Sequence, residues 1–140
     1  IQEGLHAVIV NPSVVLGPGF WNTGSGSLFT TAAKGMKYYT LGGTGFVDVR
    51  DVVKLMVKLM NSGINNERFV LNSENIIYKD FFQMIADETG VRRPQRPATK
   101  KLLKLALVLD GIASTLKLKK REITRDIVRS SLSVSKYSNK

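Results

Sequence analysis

HAVIVNPSVVLGPG, residues 6–19, is the stretch on which the fold turns. Ala7, Val8, Ile9 and Val10 run without a charge inside an expected strand from Leu5 to Val10. A short, unbroken, β-branched run predicts a strand covered on both faces, as in parallel α/β sheets. Asn11-Pro12 is expected to end the ladder, because proline lacks the N–H that a ladder needs. Beyond it, GPGFWNTGSGS at 17–27 holds Gly17, Gly19, Gly24 and Gly26, which predicts a loop of wide backbone freedom.

Downstream, Leu28 to Lys34 reads as a short helix closed by Gly35. Tyr38, Tyr39 and Thr40 read as a short strand, Gly42 to Gly45 (GGTG) as a tight turn, and Phe46, Val47 and Val49 as an extended piece. Asp51 is the expected N-cap of a helix VVKLMVKLMN, whose Val52, Leu55, Met56, Leu59 and Met60 recur at helical spacing. Arg68 to Leu71 predicts another strand. Lys79 to Thr89 predicts an amphipathic helix with Phe81, Phe82 and Ile85 on one face and Gly90 as its stop. The alternation of strand and helix argues for an α/β fold of few short strands and several helices. Upstream, IQEGL at 1–5 reads as the last turn of a helix with Gly4 at C′, so a longer parent chain is expected.

From Val91 the composition changes. Pro94 and Pro97 in RRPQRP predict an extended linker. Lys100 to Lys120 then places Leu102, Leu105, Leu109, Ile112 and Leu116 at three- and four-residue steps, and a last helix from about Thr124 to Ser131 precedes a polar tail. The reading divides the chain into 1–95, the end of a sheet plus a substrate-binding region, and 96–140, a basic helical extension. Charge follows a similar division. Residues 1–90 hold 7 Lys/Arg against 8 Asp/Glu, whereas 91–140 hold 14 against 3. A basic excess confined to the last third raises the question of an anionic partner. With no cysteine, the chain carries neither disulfide nor thiolate metal site, and a reducing, cytoplasmic setting is the default expectation.

Candidate chemistry is sparse. GGTGF at 42–46 lacks the third glycine of a dinucleotide-binding loop, since Asp48 stands where it would fall, and an extended segment follows instead of a helix. No tyrosine has a lysine four residues on: Gly42, Gly43 and Phe82 follow Tyr38, Tyr39 and Tyr78 at that distance. His6, the lone histidine, excludes His-rich metal sites, and its place at the start of a buried strand favours a structural role. Asp48 and Asp51 lie three apart, but nothing aims them at one pocket. Phe20 and Trp21, aromatics on a mobile loop, suit either ligand contact or loop anchoring.

HAVIVNPSVVLGPG at 6–19, KGMKYYTLGGTGFVDVRDVV at 34–53 and RFVLNSENIIYKDFFQMIADETG at 68–90 together resemble the extended short-chain dehydrogenase/reductase family. The likeness runs toward its dihydroflavonol-reductase-like and nucleoside-diphosphate-sugar epimerase branch and covers roughly residues 4–95. It implies the C-terminal, substrate-binding part of a Rossmann-type enzyme using NAD or NADP. The family's cofactor loop and its Tyr-x-x-x-Lys would lie upstream, so no catalytic residue is expected in this chain. The fragment alone is expected to be inactive and to bind no cofactor tightly. By motif, Asn11, Pro12, Ser13 and Val14 would pack beside the nicotinamide. Phe20, Trp21, Ser27, Leu28 and Phe29 would form the substrate loop, with Tyr38 and Tyr39 on the same pocket. The substrate would be a small hydroxy/keto compound or a nucleotide sugar, whose diphosphate needs a basic residue; Arg50, Arg92 and Arg93 are candidates. Many relatives have His where this chain has Asp48, which leaves Asp48 and Arg50 without a family role.

A competing reading makes residues 91–140 a basic module for nucleic acid or an anionic membrane. Tyr137 is the sole aromatic there, so base stacking lacks a platform. KKLLKLALVLDGIASTLKLKK at 100–120 could lie on a membrane, but the leucines are expected to cover the parent sheet or a partner subunit while the lysines stay solvated. The expected partners are therefore the substrate and an upstream Rossmann half, with neither nucleic acid nor membrane. Without that half, the strand at Ala7 to Val10 would offer an unpaired edge and drive self-association.

Overall fold

A computed structural model describes residues 6–115 and 124–138. In chain order the elements are β1 (Ile9–Pro12), β2 (Val14–Leu16), α1 (Gly26–Ala33), β3 (Tyr38–Tyr39), β4 (Gly43–Asp48) and α2 (Val49–Met60), then β5 (Arg68–Leu71), β6 (Glu74–Ile77), α3 (Tyr78–Thr89), β7 (Arg96–Pro97), α4 (Lys100–Thr115) and α5 (Arg125–Ser130). The expected helix end at IQEGL and the stretch from Leu116 to Lys120 lie outside the described residues. The fold is α/β, with three small sheets ordered β1-β5, β2-β4-β6 and β3-β7. The chain forms two compact units, one of Ile1–Thr30, Thr44–Ile76 and Lys136–Lys140, the other of Thr31–Gly43 and Ile77–Ser135.

In the first unit β1 runs parallel to β5, with Ile9 opposite Arg68 and Pro12 opposite Leu71. The strand thus continues through Asn11-Pro12, where the sequence suggested it would stop. The reason is parity. Ile9 N and Ser13 N donate to Glu67 O and Leu71 O at 2.9 and 2.8 Å, so odd positions face β5. Position 12 faces the other edge, and a proline there removes no ladder bond. Burial is also lower than a doubly covered strand requires: Ile9 and Val10 are half-buried, and Asn11 and Pro12 are exposed. His6 is exposed as well, ahead of the strand and not inside it.

β4 is the centre of the three-stranded sheet, parallel to β2 with Val14 opposite Phe46. GGTG is therefore strand, not turn. Gly43, Thr44, Gly45, Phe46 and Val47 are all buried. A Cβ on Gly45 would stand 2.0 Å from Asn72 Oδ1 and 2.6 Å from Tyr137 Cδ2, so this glycine permits close approach. The N-cap of α2 is Asp48, not Asp51: the carboxylate accepts from Arg50 N at 2.7 Å, and the helix starts three residues earlier than expected. Val52 and Leu59 are buried, while Val53, Met56, Val57 and Met60 leave an apolar stripe exposed.

In the second unit β3 pairs in parallel with β7, Tyr38 opposite Arg96 and Tyr39 opposite Pro97. The Pro-rich linker is thus extended as expected, with Pro94 fully buried. In α3, Phe81, Phe82, Ile85 and Ala86 are buried, and Gly90 ends the helix in the left-handed region at φ 70°. Thr124 caps α5, its side chain accepting from Ile127 N. The segment after α5 is no free tail. Gly42 N and Gly43 N donate to Ser131 O and Ser133 O, and Ser135 N returns a bond to Gly43 O. α4 packs on α5. Its inward residues are Leu102, Leu103, Ala106, Leu107 and Asp110, whereas Leu105 and Leu109, assigned by periodicity to the covered face, are exposed.

Candidate functional site

α1 ends where Gly35 adopts φ 83°, and Met36 and Lys37 lead straight into β3. Because β7 pairs in parallel with β3, Arg96 N donates to Lys37 O at 3.3 Å and the RRPQR segment is laid beside Lys37 and Tyr38. Between them is a cavity of about 430 Å³ lined by Gly35, Met36, Lys37, Tyr38, Arg92, Arg93, Gln95 and Arg96. Four of those eight residues carry cationic side chains. Arg93 is neutralised: its guanidinium donates through Nε and, at 2.7 Å through Nη2, to both oxygens of Asp87, which raises its pKa. Arg92 Nη2 donates to the neutral Gln95 Oε1 at 3.1 Å. Lys37 and Arg96 have no carboxylate partner among the described residues. The cavity wall is thus left with an excess of positive charge and with guanidinium donors suited to carboxylate or phosphate oxygens. Tyr38, Arg92 and Arg93 were expected on a substrate site, and the fold brings these three together. Lys37, Gln95 and Arg96 were missed because only the parallel pairing of two distant segments makes them neighbours.

Tyr39, in the same unit, is half-buried with the Lys79 ammonium 5.7 Å from its ring centroid. Arg50 belongs to the first unit and is not among the residues that line the cavity. It grips Asp48 with Nε–Oδ1 at 2.9 Å and Nη2–Oδ2 at 2.6 Å, and those bonds, with the capping amide, hold the Asp48 carboxyl down at about 2.

The remaining expected residues belong to the first unit. Ser13 stands between β1 and β2, 8% exposed, its Oγ buried with no hydrogen-bond partner. Asn11 and Pro12 beside it are exposed, and Val14 is half-buried. In the glycine-rich loop Trp21 packs edge-on against Phe29 at 6.2 Å and accepts through its carbonyl from Thr30 Oγ1, so it anchors the loop. Ser27 Oγ donates to Gly24 O, closing the start of α1, and Leu28 is half-buried. Phe20, 84% exposed, is left free. No group of three His, Cys, Asp or Glu side chains suited to a metal ion occurs among the described residues.

No family model matches the chain. Sterol demethylase protein B of Methylococcus capsulatus is 32% identical over 113 residues, which span 79% of this chain and 34% of that protein. Among solved structures, gox2253 is similar at a TM-score of 0.66 and 25% identity, over 94% of this chain and 41% of its own. A nucleoside-diphosphate-sugar epimerase from Pseudomonas aeruginosa follows the same course at 0.67 and 22% identity, over 91% and 42%. UDP-glucose 4-epimerase from Thermotoga maritima, solved with UDP-glucose, matches 69% of this chain and 34% of its own at 0.56 and 19% identity. The chain therefore spans between a third and about two-fifths of the length of these proteins. Fold and strand pairing define a Rossmann-type α/β segment. It is an extended short-chain dehydrogenase/reductase-like segment, the counterpart of the C-terminal part of such proteins. No helix among the described residues is long and apolar enough to cross a membrane.

Proposed function

We propose that this chain is the substrate-facing part of an NAD(P)-dependent oxidoreductase or epimerase whose cofactor loop and catalytic pair lie on an upstream Rossmann half. The observation that carries the reading is the carboxyl end of β1, where a parallel strand terminates in exposed Asn11 and Pro12 beside the buried, unpartnered Ser13 Oγ. In open α/β sheets, ligands bind outside the carboxyl ends of the strands. The cofactor would supply hydride transfer. Asn11 to Val14 would border it, with Ser13 offering a hydroxyl and Pro12 a surface without an N–H. Within the second unit, the cavity between Lys37 and Arg96 would take an acidic group, such as the diphosphate of a nucleotide sugar. A second reading, a hydroxy or keto group on a bulky apolar skeleton, is favoured by exposed Phe20 and agrees with the name of the sterol demethylase relative.

The upstream half has a surface to meet. The edge of β1 opposite β5 is unpaired among the described residues, and the exposed Val53, Met56, Val57 and Met60 stripe belongs to the same unit. Between them lies a cavity of about 270 Å³ lined in part by Val8, Val10, Met56 and Met60. The test is to assay nicotinamide-linked turnover with the chain alone and after fusion to an upstream Rossmann half. The fusion is expected to turn over and the chain alone to be silent. Turnover by the isolated chain refutes the proposed division of labour.

A further inference from the structure

We propose that the outward face of α4 docks on an anionic lipid bilayer. Along this helix Lys100, Lys101 and Lys104 are exposed, and Leu105, Val108 and Leu109 follow at 55%, 56% and 57% exposure. The six share one side of the helix at steps of three and four residues, with the cations on the first turns and the aliphatic side chains on the next. The inward side has its own apolar set in Leu102, Leu103, Ala106 and Leu107, so the outward three are not needed for packing within the unit. Asp110, the helix's carboxylate, is turned inward at 5% exposure and brings no negative charge to the face.

Lysines beside an exposed aliphatic patch are the pattern of a helix lying in the plane of an anionic interface. The aliphatic groups enter the acyl boundary, while the ammonium groups reach lipid phosphates on long stems. Its 16 described residues would lie on a bilayer and are too few to cross one. The charge pattern argues against other occupants. A second copy docked face to face would set its lysines over these lysines or over these aliphatic groups with no anion to meet them, and nucleic acid gives the aliphatic residues nothing to bury against. The inference stands apart from the substrate cavity, which α4 does not line.

The test is cosedimentation of the whole chain with vesicles of phosphatidylcholine, with and without phosphatidylserine. Binding is expected only with phosphatidylserine and should fall as salt rises. Lys100→Gln/Lys101→Gln/Lys104→Gln should weaken it on the order of 100-fold, and Leu105→Ser/Leu109→Ser by about tenfold or more. Val108→Asn, a single exposed change, should weaken it while preserving the circular dichroism. Lys34→Gln/Lys54→Gln/Lys58→Gln removes the same charge elsewhere and should leave binding intact. Equal loss in that control reduces the effect to net charge and overturns the docking face. Binding indifferent to the leucines, no preference for phosphatidylserine, tighter capture by duplex DNA, or a lipid-free oligomer dissolved by the leucine changes would each overturn it too.

Discussion

Gly45→Ala separates the strand from the turn that its sequence suggests. Gly45 is not among the glycines with positive φ, so alanine meets no backbone barrier there and would gain about 0.4–1 kcal/mol from a stiffer unfolded chain. Against this stands the 2.0 Å approach of the new Cβ to Asn72 Oδ1 and the 2.8 Å approach to its Cγ, in a residue 8% exposed. Overpacking of this kind costs about 1–3 kcal/mol, and displacing a buried amide from its partners costs about 1–3 kcal/mol more. The net loss expected is about 3 kcal/mol. At about 4 °C per kcal/mol for a chain of this size, Tm should fall by about 12 °C. A glycine needed only for a turn would cost about 1 kcal/mol and would be blind to Asn72. Thermal and urea unfolding of Gly45→Ala, Asn72→Ala and the double variant therefore decide the matter. The alanine at 45 should cost about 1–2 kcal/mol less once Asn72 is shortened. A loss below about 1 kcal/mol, or one unchanged in the Asn72→Ala background, refutes the reasoning.

Inorganic pyrophosphate should raise the Tm of the chain and do so less at high salt; Lys37→Gln/Arg96→Gln should cost about tenfold or more in affinity, followed by thermal shift and titration calorimetry. Self-association through the β1 edge should appear in light scattering. Val10→Pro should abolish it without unfolding the chain, because position 10 shares the outward parity of Pro12. The Arg50 side-chain bonds and amide hold Asp48 at about 2 instead of 3.8, so the folded state binds the proton less readily than the unfolded one. That contribution is complete above 3.8 and is lost as pH falls toward 2. Urea midpoints of Asp48→Asn should therefore be flatter than wild type across that acid limb, with the wild type ahead above it.

How much of this was legible in the residues depends on the range of the interaction that decides each element. β1, β5, α1 and α3 rest on local signals: an uncharged β-branched run, helical spacing, and Gly35 and Gly90 in the left-handed region. β5, α1 and α3 were read close to their observed bounds, whereas β1, expected over Leu5 to Val10, runs from Ile9 to Pro12. β2 and β6 were missed because three or four residues carry no periodicity of their own, and Val14 to Leu16 become strand only because Phe46 to Asp48 lie alongside. GGTG misled for a related reason. Glycine ordinarily marks backbone freedom, but here it marks the closeness of Asn72 and Tyr137, which no window around position 45 contains. Asp51 was the expected cap of α2, but the cap is Asp48, which the amide and guanidinium of Arg50 both bind.

The tail and the cavity extend this point from fold to function. The residues after Ser131 read as a polar tail, yet Asn75 closes two bonds of 2.9 Å on Tyr137, and the Ser131 and Ser133 carbonyls accept from Gly42 and Gly43. Serine and asparagine are indifferent to partner until a backbone edge is presented to them, so composition alone cannot reveal the pinning. RRPQR likewise reads as a charged linker. Pairing Tyr38 with Arg96 converts it into one wall of a cavity, while Asp87 silences Arg93. What separates a binding cation from a structural one is therefore the carboxylate opposite it. By that criterion Lys37 and Arg96, which the sequence did not single out, are the residues to change first. Arg50 and Arg93, which it did, are held by Asp48 and Asp87 and should alter helix capping and loop closure before they alter anion affinity.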